Sequence, residues 1–388
     1  MSLSERLAER IRRNGPITFA EFQESALYDE HGGFFATGGG AGRAGRDFVT
    51  SPEVGSLFGL LVGRHLDAAW RRLGEPDPFV VVEVGAGRGR LASDVLRAAP
   101  ACSPALRYVM VERSAVLRAE QRDLLRIEPA GEALGPVQRS ADPDEGDDFL
   151  PGAGPIVASI DELPGVGFVG VVVANELLDN LPVRIVERAA IGWSEVRLGL
   201  ERAELVEVLV PADATLAAEA DVVAAGLAPE SGVRLPVPTA IADWLAALAA
   251  VLDRGEVVLV DYADDGAGLS ARGQPGWLRT YRLHERGSEP LEAPGSQDIT
   301  TDVPLEYLRA IAVRAGFTVV DETSQAEWLS SLGIDALVDA GRAVWRERAH
   351  VGDLAAISGR SRVGEAAALT DPAGLGAHRV ITLERVLH

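Results

Sequence analysis

Three glycines and two carboxylates set the chemistry of this chain. Gly85, Gly87 and Gly89 recur at every second position, just after Glu83 and just before Leu91, Val95 and Leu96, which are spaced for one face of a helix. Glycine lets a backbone turn sharply and lets a ligand approach where a Cβ would collide. A helix starting beyond such a turn directs its free N–H groups at that ligand. Glu112 follows the apolar run 108–111. A carboxylate at a strand end accepts hydrogen bonds from both hydroxyls of a ribose, so turn and carboxylate together make a nucleotide-binding corner. A glycine triplet alone is equally a tight turn with no ligand; Glu112 is what narrows it. Glu83 lies inside an apolar run, where a buried carboxylate needs a partner. Arg90 stands where a dinucleotide fingerprint requires Gly or Ala, which counts against hydride transfer.

Such a corner needs a strand on one side and a helix on the other. Residues 79–84 are apolar and β-branched around Glu83, the pattern of a parallel strand buried on both faces. Further runs at 108–111, 156–158, 170–174, 256–262 and 317–321 alternate with helical stretches such as 118–126, 239–252 and 304–315, and a last run covers 379–383. Alternation of this kind predicts an α/β protein with a doubly wound, mainly parallel sheet. From 183 to about 211 the pattern changes to that of antiparallel strands, followed by an Ala-rich helix. Residues 1–28 predict two short helices, the second with Thr18 as N-cap and Glu21 at capping-box spacing. The Gly-rich stretch 32–45 is either a surface loop or a lid that orders over a ligand. Ser51 is placed to cap, and Pro52 to begin, a helix running to about residue 73. Glu53 then sits at the positive end of that helix, which by itself could account for it. Residues 136–155 are acidic and loop-like, and residues 263–297 are too long for a plain connection, so functional or disordered. The expected division is 1–55 for N-terminal helices and lid, 56–182 for the nucleotide-binding half of the core, 183–252 for an insertion, and 253–388 for the rest of the sheet with C-terminal helices.

Composition sets bounds. A length of 388 residues allows one large domain with insertions, or two, and 47% apolar residues are ample for a core. A formal net charge of −21 at pH 7 argues against nucleic acid or an anionic membrane as partner. It suits a small molecule or a basic partner. Every Lys-or-Arg position is Arg, and without lysine there is no Walker-type phosphate loop. Cys102 is the single cysteine, which excludes an intrachain disulfide or a cysteine zinc site and points to a reducing compartment. The six histidines fit no metal-ligand pattern, so no metal is expected. No apolar run reaches the ~20 residues of a membrane span. The first residues lack a signal-peptide core. A cytoplasmic protein is the expectation.

Six stretches occur in order: DFVTSPE at 47–53, EVGAGRG at 83–89, ANELLDNLP at 174–182, VDY at 260–262, LRTYR at 278–282 and GSQDITT at 295–301. The glycine motif with Glu112 is similar to those of class I S-adenosyl-L-methionine (SAM) methyltransferases. The six together resemble the MidA family of SAM-dependent methyltransferases, which includes the mitochondrial complex I assembly factor that dimethylates an arginine of a complex I subunit. The resemblance spans about residues 16–333. It implies a Rossmann-like class I methyltransferase fold, a seven-stranded sheet whose last strand is antiparallel, with an insertion. It implies SAM as methyl donor, S-adenosylhomocysteine as product, and an arginine of a protein as acceptor.

Under that resemblance Gly85, Gly87 and Gly89 hold the amino-acid end of SAM and Glu112 holds the ribose. Ser159 and Ile160, beyond the third strand, flank the adenine by position. Thr50, Ser51, Pro52, Glu83 and Asn175 complete the cofactor set. Glu53, Glu176 and Asp179 are the acids chosen to grip a guanidinium, because paired carboxylates match its planar fork. The alternative for Glu53 and Glu176 is to complement helix dipoles. Tyr262 either lines the acceptor channel or packs. Methyl transfer is an in-line displacement governed by positioning and desolvation. Two rivals stand beside it: a catalytically weak SAM-binding assembly protein, and a nicotinamide-dependent oxidoreductase, against which the lack of a suitable His–Asp pair near a strand end of this chain also counts. The partners expected are a protein with an accessible arginine and, as an option, a second copy of the chain, with neither nucleic acid nor membrane.

Overall fold

The computed structural model describes residues 1–40, 50–135, 153–202, 204–282 and 285–386. The run 79–84 forms strand β1 (Phe79–Val84), every residue of it buried. The other strands of its sheet are β2 (Leu106–Val111), β3 (Ile156–Ile160), β4 (Phe168–Asn175), β9 (Leu252–Asp261), β12 (Thr318–Ser324) and β13 (Arg379–Val386). They lie in the order β12-β13-β9-β4-β1-β2-β3. β1 pairs in parallel with β2 and β4, β3 with β2, and β9 with β4, while β13 runs antiparallel to both β9 and β12. The sheet is therefore seven-stranded with β13 alone reversed, as the family resemblance implied.

The reason β1 reads as an unbroken apolar run is visible in the packing. Val80, Val82 and Val84 enter the core on one face of the sheet, and Phe79 and Val81 the core on the other. Burial of one such valine contributes about 1.5–3 kcal/mol. The second core is closed by α4 (Ser56–Arg72), α5 (Arg90–Ala98), α10 (Gln325–Ser331), α11 (Ile334–Arg348) and α12 (Leu354–Leu369). The first is closed by α1 (Leu3–Asn14), α2 (Phe19–Tyr28), α7 (Ala214–Val223), α8 (Thr239–Ala249) and α9 (Leu305–Arg314), while α6 (Ala115–Leu124) follows β2.

The alternating stretch forms an antiparallel sheet of β5 (Arg184–Arg188), β6 (Trp193–Glu201), β7 (Glu204–Pro211) and β8 (Arg234–Val237). Ile17 and Thr18 pair with Leu198 and Arg197 of β6, which ties the N-terminal helices to this sheet. The capping box at α2 is present, with Thr18 and Glu21 exchanging backbone bonds.

Two local expectations are corrected, and a third, which left two options open, is narrowed. The helix after Pro52 is broken at Gly55 into α3 (Ser51–Val54) and α4, and Thr50 is the N-cap, without a side-chain cap bond. Leu252 opens β9 instead of closing the preceding helix. Residues 263–297 contain ordered elements: β10 (Leu278–Arg282) pairs antiparallel with β11 (Asp298–Thr301) because Trp277, Leu278 and Ile299 are buried apolar anchors. Part of the proposed lid (41–45), residues 47–49 of the first motif and most of the acidic loop (136–152) lie outside the described residues.

Candidate functional site

A cleft of about 830 Å³ opens at the C-terminal ends of β1, β2 and β4. The chain leaves β1 toward β2 on one side while β4 lies on the other, and ligands of open α/β sheets bind at this switch point.

The glycine turn forms its floor. A Cβ on Gly85 would lie 3.0 Å from Leu177, and one on Gly89 3.0 Å from the Met110 sulfur, so these two glycines serve close packing. Gly87 differs. Its φ is +53°, and a Cβ there would meet nothing within 4 Å, because it would project into the cleft. Gly87 N–H donates to Glu112 Oε2 (2.9 Å), and Ser114 N–H to Glu112 Oε1 (2.8 Å). Each carboxylate oxygen keeps a lone pair for a ligand hydroxyl. Burial pushes the Glu112 carboxyl above its ordinary pKa, against the pull of the Ser114 and Gly87 N–H groups.

Glu83 lines the cleft and accepts the Tyr108 hydroxyl (2.7 Å); burial raises its pKa to about 8. Asn175 also lines it, and its Oδ1 is buried with no donor among the described residues. Thr50, Pro52 and Glu53 form one rim. Glu176 faces them from beyond β4. Its Oε1 accepts Ser51 N–H (3.3 Å) and Asn175 Nδ2 (3.2 Å), and burial, reinforced by the nearby Asp179 charge, lifts its pKa to about 8.

Three expected site residues lie elsewhere, and a fourth contributes backbone only. Ser51 is fully buried and donates its hydroxyl to Gln325 Oε1 (2.8 Å), so its side chain turns from the cleft. Ser159 donates to Gln121 Oε1 (2.5 Å), Ile160 packs against the core and gives its carbonyl to Glu112 N–H, and Asp161, Glu162 and Leu163 take the wall assigned to them. Asp179 is buried behind the cleft: the 3₁₀ turn Leu178–Asn180 folds it inward, near Arg279. Burial raises its pKa to about 7 despite that guanidinium. Tyr262 is a packing residue, with the Arg279 guanidinium 5.0 Å from its ring centroid and His378 edge-on at 4.1 Å.

Other lining residues carry no sequence motif. Tyr28 and Phe35 stack at 5.4 Å, Arg113 covers the Tyr28 ring at 4.3 Å, and Ser114 donates to the Phe35 carbonyl (2.9 Å), so the N-terminal segment is fastened to the loop that holds Glu112. Trp244 of α8 also reaches the cleft, with a buried indole N–H that meets no acceptor among the described residues. Ile241, Leu245 and Leu248 mark the buried face of α8, and Trp244 adjoins it at helical spacing.

The donor set fits a nucleoside with a charged amino-acid tail: an open glycine, a carboxylate with free lone pairs, an orphan amide oxygen and apolar walls. Residues 61–323 match the profile of a family described as S-adenosyl-L-methionine-dependent methyltransferases. The chain belongs to this family. It is 30% identical to the mitochondrial protein arginine methyltransferase NDUFAF7 homolog of Drosophila melanogaster, over 81% of this chain and 71% of that one. The human protein arginine methyltransferase NDUFAF7, also named mitochondrial, is 27% identical over 85% and 73%. A solved structure from Burkholderia thailandensis, bound to S-adenosyl-homocysteine, superposes with a TM-score of 0.79 at 30% identity, covering 99% of this chain and 92% of that chain. The methyl donor is therefore SAM, and the oxidoreductase alternative falls away. The cytoplasmic expectation is corrected, since the curated relatives are named mitochondrial. No helix among the described residues is long and apolar enough to cross a membrane.

One consequence concerns Glu112. Its loss removes the proposed ribose acceptor and also frees Gly87 N–H. Glu112→Ala is expected to weaken SAM and S-adenosylhomocysteine equally, by about 10- to 100-fold, the scale of roughly 1.5–3 kcal/mol for hydrogen bonds to a charged group. Calorimetric titration with each ligand checks it; a loss confined to one of them would put the ribose contact elsewhere.

Proposed function

We propose that this methyltransferase acts on arginine side chains of a protein, with Gly87, Glu112 and Asn175 holding the donor and Glu176, assisted by Glu53, receiving the guanidinium. The observation that carries it is the placing of Glu176: a carboxylate braced by Ser51 N–H and Asn175, opening on the same cleft as the glycine turn. The relatives named protein arginine methyltransferases support the choice of acceptor.

SAM, when bound, supplies an electrophilic methyl group on a sulfonium. Glu176 accepts N–H bonds from the guanidinium and orients one nitrogen toward that methyl group. As the N–C bond forms and the S–C bond breaks, the nitrogen sheds a proton, and Glu176 is the base placed to take it. Apolar Leu177, Leu181 and Phe35 help exclude water.

Incubation with tritiated SAM and soluble protein from cells lacking this chain tests the proposal. Acid hydrolysis is expected to release label as methylarginine; label on another amino acid would overturn it.

A pH dependence follows. Glu176 is faced by Asp179, by Asp261 and Tyr262 at the end of β9, and by Asp298 of β11. Its pKa of about 8 leaves it largely protonated at neutral pH, and a protonated carboxyl holds a guanidinium poorly. kcat/KM for the protein substrate is expected to rise up to about tenfold per pH unit below about 8 and to level off above it. A pH–rate profile from 6 to about 9.5 checks this. A rate that falls as pH rises through 8 would be incompatible with an ionised Glu176 as acceptor contact.

A further inference from the structure

Glu176 has a φ of +51°. That left-handed conformation is one a residue with a Cβ rarely adopts, because the Cβ crowds the following carbonyl oxygen. It persists only where the surroundings hold it. The surroundings here are the end of β9. Glu176 N–H donates to the Val260 carbonyl (2.8 Å). The next residue of that strand, Asp261, is almost wholly buried. Its Oδ2 accepts the N–H groups of Leu178 (2.7 Å), Leu177 (3.1 Å) and, more weakly, Asp179 (3.4 Å), while its Oδ1 accepts Tyr262 N–H (2.8 Å).

These are the amides that follow Glu176 at the start of the 3₁₀ turn Leu178–Asn180. A helical turn leaves its first N–H groups without internal partners. One carboxylate gathers them from the neighbouring strand. Were Glu176 to relax to an extended or right-handed conformation, the chain beyond it would swing and these bonds would break. Asp261 does not line the cleft, so its contact with the ligand is indirect.

We propose that Asp261 is a positioning residue for methyl transfer. Its carboxylate clasps the turn 177–179 and so holds Glu176 in the left-handed conformation that presents its side chain to the acceptor. The proposal rests on Glu176 as the acceptor contact. It also assigns a task to the stretch 260–262, which has no contact with the cleft of its own.

The test is a double-mutant cycle in the full chain, read as the initial rate of tritiated methylarginine formation on soluble protein from cells lacking the chain. Asp261→Asn keeps the size of the side chain and sets an NH₂ group against one of the N–H sets. It is expected to reduce the rate at least about tenfold while the dissociation constant of SAM stays within about threefold. Asp261→Ala is expected to lose more, and thermal melting shows which variants fold. The decisive readout is the pair with Glu176→Gln. If Asp261 acts through Glu176, the double variant is no slower than Glu176→Gln alone, whereas independent effects multiply. A folded Asp261→Asn chain at the wild-type rate would overturn the proposal, and so would multiplicative losses. A Glu176→Gln chain at the wild-type rate would instead bring down the acceptor contact itself, and the positioning role with it.

Discussion

Glu176→Gln is expected to slow arginine methylation about 100-fold or more, the scale for losing a positioned charged group, while SAM affinity stays near that of the unaltered chain. Glutamine keeps the shape of the side chain and its bond from Ser51 N–H. It cannot carry the charge that matches a guanidinium, nor accept the departing proton. Were Glu176 present to complement a helix end, the change would cost under about 1 kcal/mol of stability and leave turnover nearly normal. Rate and affinity together separate the two roles: the initial rate of methylarginine formation and a SAM titration on the same preparation. Wild-type methylation by the variant would remove Glu176 from the acceptor site.

Gly87→Val is expected to weaken SAM binding at least about tenfold, roughly 1.4 kcal/mol, and methyl transfer with it. The open space around Gly87 is space that a ligand needs, and a valine there would occupy it. A β-branched residue at φ +53° is also strained, which shifts the turn and its bond to Glu112. Far-UV circular dichroism is expected to match the unaltered chain, since no protein atom lies within 4 Å of the new Cβ. A folded Gly87→Val variant with full SAM affinity would remove the donor from this turn.

The parts of the site legible in the sequence are those where backbone chemistry dictates residue type. The alternate glycines, and the carboxylate closing the next strand, are demands of geometry that a sequence cannot hide. The sheet was legible for the same reason: strands such as 79–84 are buried on both faces and must be apolar throughout. What escaped was direction. Ser51 sits between Thr50 and Pro52, which face the cleft, yet turns inward to Gln325, and a four-residue helix has too little periodicity to reveal that. Asp179 is three residues from Glu176, but an intervening turn buries it. Ser159 and Ile160 miss the wall by one or two residues, because the strand ends later than its apolar run suggests. Trp244, Tyr28 and Phe35 reach the cleft only through tertiary packing, to which no local motif corresponds.

The reversed strand β13 has a consequence for how the chain is made. It follows every other strand in sequence, yet it lies inside the sheet, paired with β9 on one side and β12 on the other. A polypeptide emerging residue by residue presents β9 as a bare edge, with Val257 and Leu259 on an unpaired backbone, throughout the synthesis of everything between. Unpaired edges of this kind invite association with other chains. The closing contact, Val257 opposite Leu383, joins distant segments, so a large loop-closure entropy delays it. Asp261 lies opposite Arg379 in the same ladder. Completion of the sheet and rigidity of the catalytic cleft thus arrive together, late, and a nascent chain is expected to depend on shielding of β9 until they do.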